Sequence, residues 1–253
     1  MKIVYHDDFN QVYTADPAAA AGRISAVFDV IYHHAAFVPA KPASREDIAR
    51  CHTDAHIDHV RRQGLYDIAA LAAGAACQAA HIAITEPSFA LIRPPGHHAS
   101  ADGAWGFCYF NNMAIALSKL KHEGVITSAL VLDIDLHYGD GTVNILGQSP
   151  WVTIVNPSAT DRKLYVKEVE SSLPEDVDMI GISAGFDNHE SDWGGLLTTD
   201  DYREIGRMVR NTRKEEKGCF AILEGGYNHD VLGHNVKALI DGLEPVGSSS
   251  YEW

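Results

Sequence analysis

The stretch 129–141, ALVLDIDLHYGDG, constrains the chain more than any other. Its first half is an unbroken apolar run, the pattern of a strand buried on both faces. From there Asp133, Asp135 and His137 follow at every second position. Alternate residues of a strand point to one side, so two carboxylates and an imidazole leave the strand end together. Burying such groups unpaired is strongly unfavourable, and a cation removes that cost. The stretch therefore reads as half of a metal site.

The rest of the chain alternates. Strand-like segments at 2–6, 89–93, 151–155, 179–184 and 219–223 are separated by helical patterns at 14–32, 52–62, 65–84, 111–122, 142–146, 164–173, 199–213 and 230–243. Asp16-Pro17 marks a helix start, and Ser44-Arg45-Glu46-Asp47 resembles a capping box ahead of another short helix. Such alternation implies an α/β fold, a mostly parallel sheet with helices on both faces. With no repeat and no linker, residues 1–244 form a single domain, and 245–253 read as a loose tail. His33, His34, His52 and His56 are expected to be solvated or capping imidazoles. The i,i+4 pair His52/His56 suits a metal, but no third ligand is apparent nearby.

Thirty-four acidic residues against 20 basic ones give a net charge of −14 with neutral histidines. That argues against a nucleic-acid partner and suits a cationic substrate. The cysteines, Cys51, Cys77, Cys108 and Cys219, form no CxxC pair and read as reduced, buried thiols. The first residues lack the long apolar segment of a signal peptide, and the most apolar stretch, 68–84, is alanine-rich and contains Gln78 and His81. A cytoplasmic protein with no membrane partner is expected. The oligomeric state is not legible.

In α/β folds reactive groups gather beyond the carboxyl ends of the strands. Four predicted strands deliver polar groups there. One delivers Arg93-Pro94-Pro95-Gly96-His97-His98, where prolines hold two imidazoles on a stiff turn. Another delivers Asp133, Asp135, His137 and Asp140, and a third ends in Asp187. Alone, Asp187 would be a cap or turn residue; in this company it is the missing third ligand. The fourth delivers Glu224-Gly225-Gly226-Tyr227, whose glycines permit a sharp bend that puts a phenol at the rim. Asp135, His137 and Asp187 make three ligands with one position open, the pattern of catalytic rather than structural Zn2+. Two carboxylates make the set hard enough for Fe2+, Mn2+ or Co2+ as well.

RPPGHHA (93–99), GFCYFNN (106–112), DIDLHYGDG (133–141), SAGFD (183–187) and EGGY (224–227) together resemble the zinc-dependent histone deacetylases and acetylpolyamine amidohydrolases of the arginase–deacetylase fold. The resemblance spans about half of the chain. It implies that Asp135, His137 and Asp187 hold the metal, and that His97 and His98 are the paired general base and acid. Asp133 and Asp140 stand behind those two histidines respectively. Tyr227 polarises the acyl oxygen, and Gly106 and Phe107 line the tunnel for the acylated side chain.

The implied reaction is metal-dependent amidohydrolysis. An acetylated polyamine or similar small amide is the first expected substrate, another small or xenobiotic amide the second, and protein acetyl-lysine the third; an arginase-type ureohydrolase is the more distant alternative. Three departures stand out. The segment 61–65 is short, and only about thirty residues separate the strand at 151–155 from Asp187, where relatives carry longer insertions. Both predict a shallower, more open site. Val155 and Asn156 stand where relatives often have a serine that helps hold structural K+; backbone carbonyls around Asp133, Asp135 and His137 could still hold it.

Overall fold

A computed structural model describes residues 1–173, 176–212 and 218–244. Its strands are β1 (Lys2–Tyr5), β2 (Ala36–Pro39), β3 (Ser88–Ala90), β4 (Ala129–Asp133), β5 (Val152–Val155), β6 (Met179–Ala184) and β7 (Gly218–Leu223). They form one seven-stranded sheet in the order β2-β1-β3-β7-β6-β4-β5, and every pairing is parallel. All residues of β3, β4, β6 and β7 are buried, so the centre of the sheet is covered on both faces.

The α-helices among the described residues are α1 (Arg23–Ile31), α2 (Arg45–Ala49), α3 (Asp54–Arg62), α4 (Tyr66–Ile82), α5 (Asn112–His122), α6 (Asp140–Leu146), α7 (Arg162–Ser172), α8 (Thr199–Thr212) and α9 (His229–Leu243). α4 packs on β1, β3, β7 and α5, while α1, α7, α8 and α9 pack on one another as a second layer. The alanines of α4 let backbone approach backbone. A Cβ at Gly74 would stand 1.9 Å from the Lys41 carbonyl oxygen, where the segment 41–43 crosses the helix.

Polar side chains set several helix starts. Ser44, Thr53, Asn111, Asp161 and Asn228 each accept a backbone N–H of the turn they open; such caps stabilise a helix by about 1 kcal/mol each. Asn111, the first asparagine of GFCYFNN, also donates to Ala99 O at 3.0 Å. One side chain thus starts α5 and ties it to the loop that carries the two histidines.

The structure corrects several expectations. The helix expected over 14–32 is a 3-10 turn, Pro17–Ala19, followed by α1; Gly22, with φ +85°, interrupts it. Asp16 does cap, but it caps the short turn. β2 was not expected: it pairs with β1 at the sheet edge and is only partly buried, so it lacks an apolar run. β3 spans only Ser88–Ala90. His52 and His56 are buried rather than solvated. His52 sits 2.9 Å from Ser100 O and accepts the Asn111 N–H at 2.9 Å, and His56 lies 2.7 Å from Tyr109 O. The pair is tied to the loop that runs from Ser100 to Asn111. The tail 245–253 and the Arg213 end of the expected 199–213 helix lie outside the described residues. No helix among the described residues is long and apolar enough to cross a membrane.

Candidate active site

β3, β7, β6 and β4 are neighbours in the sheet, and they are the strands whose C-terminal ends carry the candidate residues. The register aligns those ends, with Asp133 opposite Ser183 and Ala184 opposite Leu223. Asp135, His137 and Asp187 converge: one ligand atom from each lies within 4.8 Å of the others. His137 Nδ1 is 3.1 Å from Asp135 Oδ1 and 3.0 Å from Asp187 Oδ2. Asp135 and Asp187 are buried, and His137 is partly exposed. Backbone groups orient the carboxylates, Gly225 N–H donating to Asp135 Oδ2 at 2.8 Å and Leu136 N–H to Asp187 Oδ1 at 3.0 Å.

Three features fit these residues to a divalent cation. Asp187 Oδ2 is buried, and the group beside it is another candidate ligand atom, His137 Nδ1 at 3.0 Å. A Cβ at Gly225 would come within 2.6 Å of Asp135 Oδ2 and 2.7 Å of Asp187 Oδ2, so only glycine keeps this cradle open. Hydrogen bonds to Asp135 and Asp187 push His137 up to about 10, while burial and the Asp135 charge push Asp187 up to about 6. A cation competes for the same lone pairs as those protons.

His97 and His98 sit next to this group after a turn that includes the cis Arg93–Pro94 bond. Their rings are 4.0 Å apart. His97 Nδ1 lies 3.1 Å from Asp133 Oδ2, and His98 Nδ1 lies 2.7 Å from Asp140 Oδ1, as the resemblance implied. The two rings feel different fields. Burial opposes charge on His97, but the Asp135 and Asp133 carboxylates outweigh it and raise its pKa well above the usual range. Burial and the charge of His97 lower His98 to about 4.

Tyr227 lines the same pocket. Burial keeps its phenol protonated far above the usual range, so it is a hydrogen-bond donor at any physiological pH. Gly106 and Phe107 form the facing wall. Both have positive φ, +59° and +67°, and a bulky residue held there stores local strain, as is common where a ligand is clamped. A Cβ at Gly106 would lie 2.3 Å from His98 Cδ2.

The structure adds residues that the motifs did not single out. Glu224, fully buried, accepts the N–H groups of Gly96 (2.7 Å) and His97 (3.3 Å), fixing the histidine turn to the end of β7. Burial first of all pushes its carboxyl up to about 7. Arg23, also fully buried, donates to the carbonyls of Glu224 (2.6 Å) and Gly226 (2.8 Å) and lies under the Tyr227 ring. Asp192 accepts the N–H groups of Tyr227 and Asn228 at 2.8 Å each. Trp105 and Trp193 stand at the rim. An arginine inside an apolar helical pattern and tryptophans beside glycines in polar loops were the available signals. His97, Cys108 and Glu224 form a second group of potential ligand atoms within 4.8 Å. The hydrogen bonds of His97 and Glu224 assign those two to the turn. Asn156 Oδ1, near the expected potassium neighbourhood, accepts the Gly139 N–H at 2.8 Å.

A parallel sheet with two carboxylates and an imidazole converging at its central strand ends, beside two carboxylate-backed histidines and a partly buried tyrosine, defines the arginase–deacetylase class. A family model for the histone deacetylase domain matches residues 62–168 and 157–243. The chain belongs to that family, as a short member. A probable deacetylase of Methanothermobacter thermautotrophicus is 30% identical over 82% of this chain and 79% of its own. A histone deacetylase-like amidohydrolase of Pseudomonas aeruginosa is 32% identical over 83% of this chain and 71% of its own. An acetylpolyamine amidohydrolase of Burkholderia pseudomallei is 28% identical over 62% and 56%. The crystal structure of the HDA15 HD domain superposes with a TM-score of 0.85 at 22% identity, over 97% of this chain and 91% of that one, a likeness of fold.

Proposed function

We propose that this chain is a metal-dependent amidohydrolase that removes a short acyl group from a small amine, the class that includes acetylated polyamines and small xenobiotic amides. The convergence of Asp135, His137 and Asp187 beneath His97, His98 and Tyr227 carries the reading. Zinc is the preferred ion, and iron(II), manganese or cobalt suit the same donors. When bound, such an ion supplies a Lewis acid that activates water and polarises the acyl oxygen.

The chain's own residues do the rest. One histidine of the pair takes a proton as water attacks, and the other gives one to the departing amine. Asp133 and Asp140 fix the two rings so that each presents Nε2 to the pocket. Tyr227 donates to the oxygen on which negative charge develops, a contribution typically worth about 3 kcal/mol. Pro95, Gly106, Phe107 and Gly225 help line a pocket of about 120 Å³ around the reacting groups.

The test is hydrolysis by protein stripped and reloaded with zinc, assayed on acetylputrescine, acetylspermidine, an acetyl-lysine peptide and a panel of small amides. Metal-dependent amine release from one or more is expected. No release from any of them overturns the reading.

A further inference from the structure

The floor of the pocket is explained by hydrolysis; its rim is not. Trp105 and Trp193 line the pocket yet are 56% and 53% exposed. Each rests against a catalytic ring. Trp105 lies 3.9 Å from His98, tilted by 31°, and Trp193 stacks on Tyr227 at 4.1 Å and 27°. The His98 and His137 rings are 5.9 Å apart, with Trp193 edge-on to His137 at 6.1 Å. The two indoles therefore flank the mouth, each with one side braced and much of its surface open to solvent. Contiguous exposed apolar surface around a pocket marks a ligand-binding rim.

The rim's chemistry narrows the ligand. The pocket of about 120 Å³ is ample for a short acyl group and its amide. With the acyl group seated over the histidines, the amine portion lies toward the mouth, where Trp105 and Trp193 line the pocket. Among the described residues no acidic side chain lines the pocket. The nearby carboxylates are engaged, Asp140 by His98 and Trp105, and Asp192 by the Tyr227 and Asn228 N–H groups. Those bonds fix where the two carboxylates sit, and the surface that the pocket itself offers to the amine portion is aromatic, which a flat ring matches over the larger area.

We propose that Trp105 and Trp193 form a specificity clamp for a flat, uncharged aromatic amine, so that short-chain N-acyl arylamines are the preferred substrates. The proposal rests on the amidohydrolase reading. In the reaction water adds across the acyl C–N bond: its oxygen joins the acyl carbon to give a carboxylic acid, and the arylamine nitrogen leaves carrying a proton.

The experiment compares kcat/KM of the zinc-loaded protein on acetanilide, acetylputrescine and an acetyl-lysine peptide, for the parent, Trp193→Leu and Trp193→Phe. The parent is expected to favour acetanilide. Trp193→Leu is expected to lower kcat/KM on acetanilide about tenfold, mainly through KM, and to collapse the preference over acetylputrescine. Trp193→Phe, which keeps a flat ring, is expected to retain most of that preference, and a melting curve for each variant excludes misfolding. In parallel, acetanilide is titrated into parent and Trp193→Leu by calorimetry, with weaker binding expected in the variant. A parent that prefers acetylputrescine or the peptide overturns the clamp while leaving the amidohydrolase reading intact, as does an unchanged preference in Trp193→Leu. Hydrolysis of none of the three, nor of any other amide, overturns both.

Discussion

Asp140 joins His98 at 2.7 Å through one carboxylate oxygen, and the other oxygen is held by the Trp105 indole N–H at 2.9 Å. Asp140 is the first residue of α6, so its backbone is anchored while its side chain reaches the histidine turn. This contact orients His98 without touching the metal ligands. Replacement of Asp140 by Asn should lower kcat by about 10- to 100-fold, the usual size for such supporting contacts. Metal content should stay at the parent level. Elemental analysis beside the kinetics separates the two roles: loss of metal in Asp140→Asn would place this carboxylate among the ligands.

Asp187 and Tyr227 should part in the opposite way. Asp187 has a buried oxygen 3.0 Å from His137 Nδ1 and is grouped with Asp135 and His137. Asp187→Ala should lose metal and activity together. Tyr227→Phe should keep the metal and the ring stack on Trp193, since only the hydroxyl is removed. Its kcat should fall about 10²- to 10³-fold, as for other lost oxyanion donors. A fully active Tyr227→Phe would remove the phenol from the mechanism.

Much of this site was legible because its chemistry is written locally. Asp133, Asp135 and His137 were grouped by simple alternation along a strand; β4 ends at Asp133, and the turn that follows it brings Asp135 and His137 within 3.1 Å. Asp187 was readable only by association, because a single carboxylate after an apolar strand carries no signal of its own. Glu224 and Arg23 bond mainly to backbone groups far away in the chain, and backbone partners leave no trace in a sequence. β2 escaped for the reverse reason: edge strands are half solvated and lose the apolar run that marks β4 or β6. The buried His52 and His56 show the same limit, since a polar residue satisfied by carbonyls reads like a surface one. The global acidity that suggested a cationic substrate is a property of the whole surface, and among the described residues no carboxylate lines the pocket.

Gly106 tests the wall of the pocket. Its φ is +59°, and an added Cβ would meet His98 Cδ2 at 2.3 Å. Gly106→Ala should therefore cost about 1–2 kcal/mol from the left-handed backbone alone, a fall in Tm of roughly 2–8 °C for a chain of this size. It should also push His98 off Asp140, so kcat should drop further than stability explains. Retained kcat with a lowered Tm would show that the His98 ring can yield.

His52 sets a pH dependence of stability that is separate from catalysis. Burial, reinforced by the neighbouring His56, lowers its pKa from 6.5 to about 4. The bonding requires the neutral ring, because Nδ1 faces Ser100 O while Nε2 accepts the Asn111 N–H. Between pH 6.5 and 4 the unfolded chain binds a proton that the folded chain refuses. Stability is therefore fully present above 6.5, falls as pH drops through that window, and levels off below about 4. From pH 7.5 to 4.5 this one group should remove roughly 2–3 kcal/mol. His52→Asn should be less stable at pH 7.5, having lost part of the bonding, but its stability should fall by correspondingly less on acidification. Urea unfolding of both proteins at pH 7.5 and 4.5 measures the difference directly. Equal pH slopes for the two proteins would mean that His52 charges as readily in the folded state as in the unfolded one.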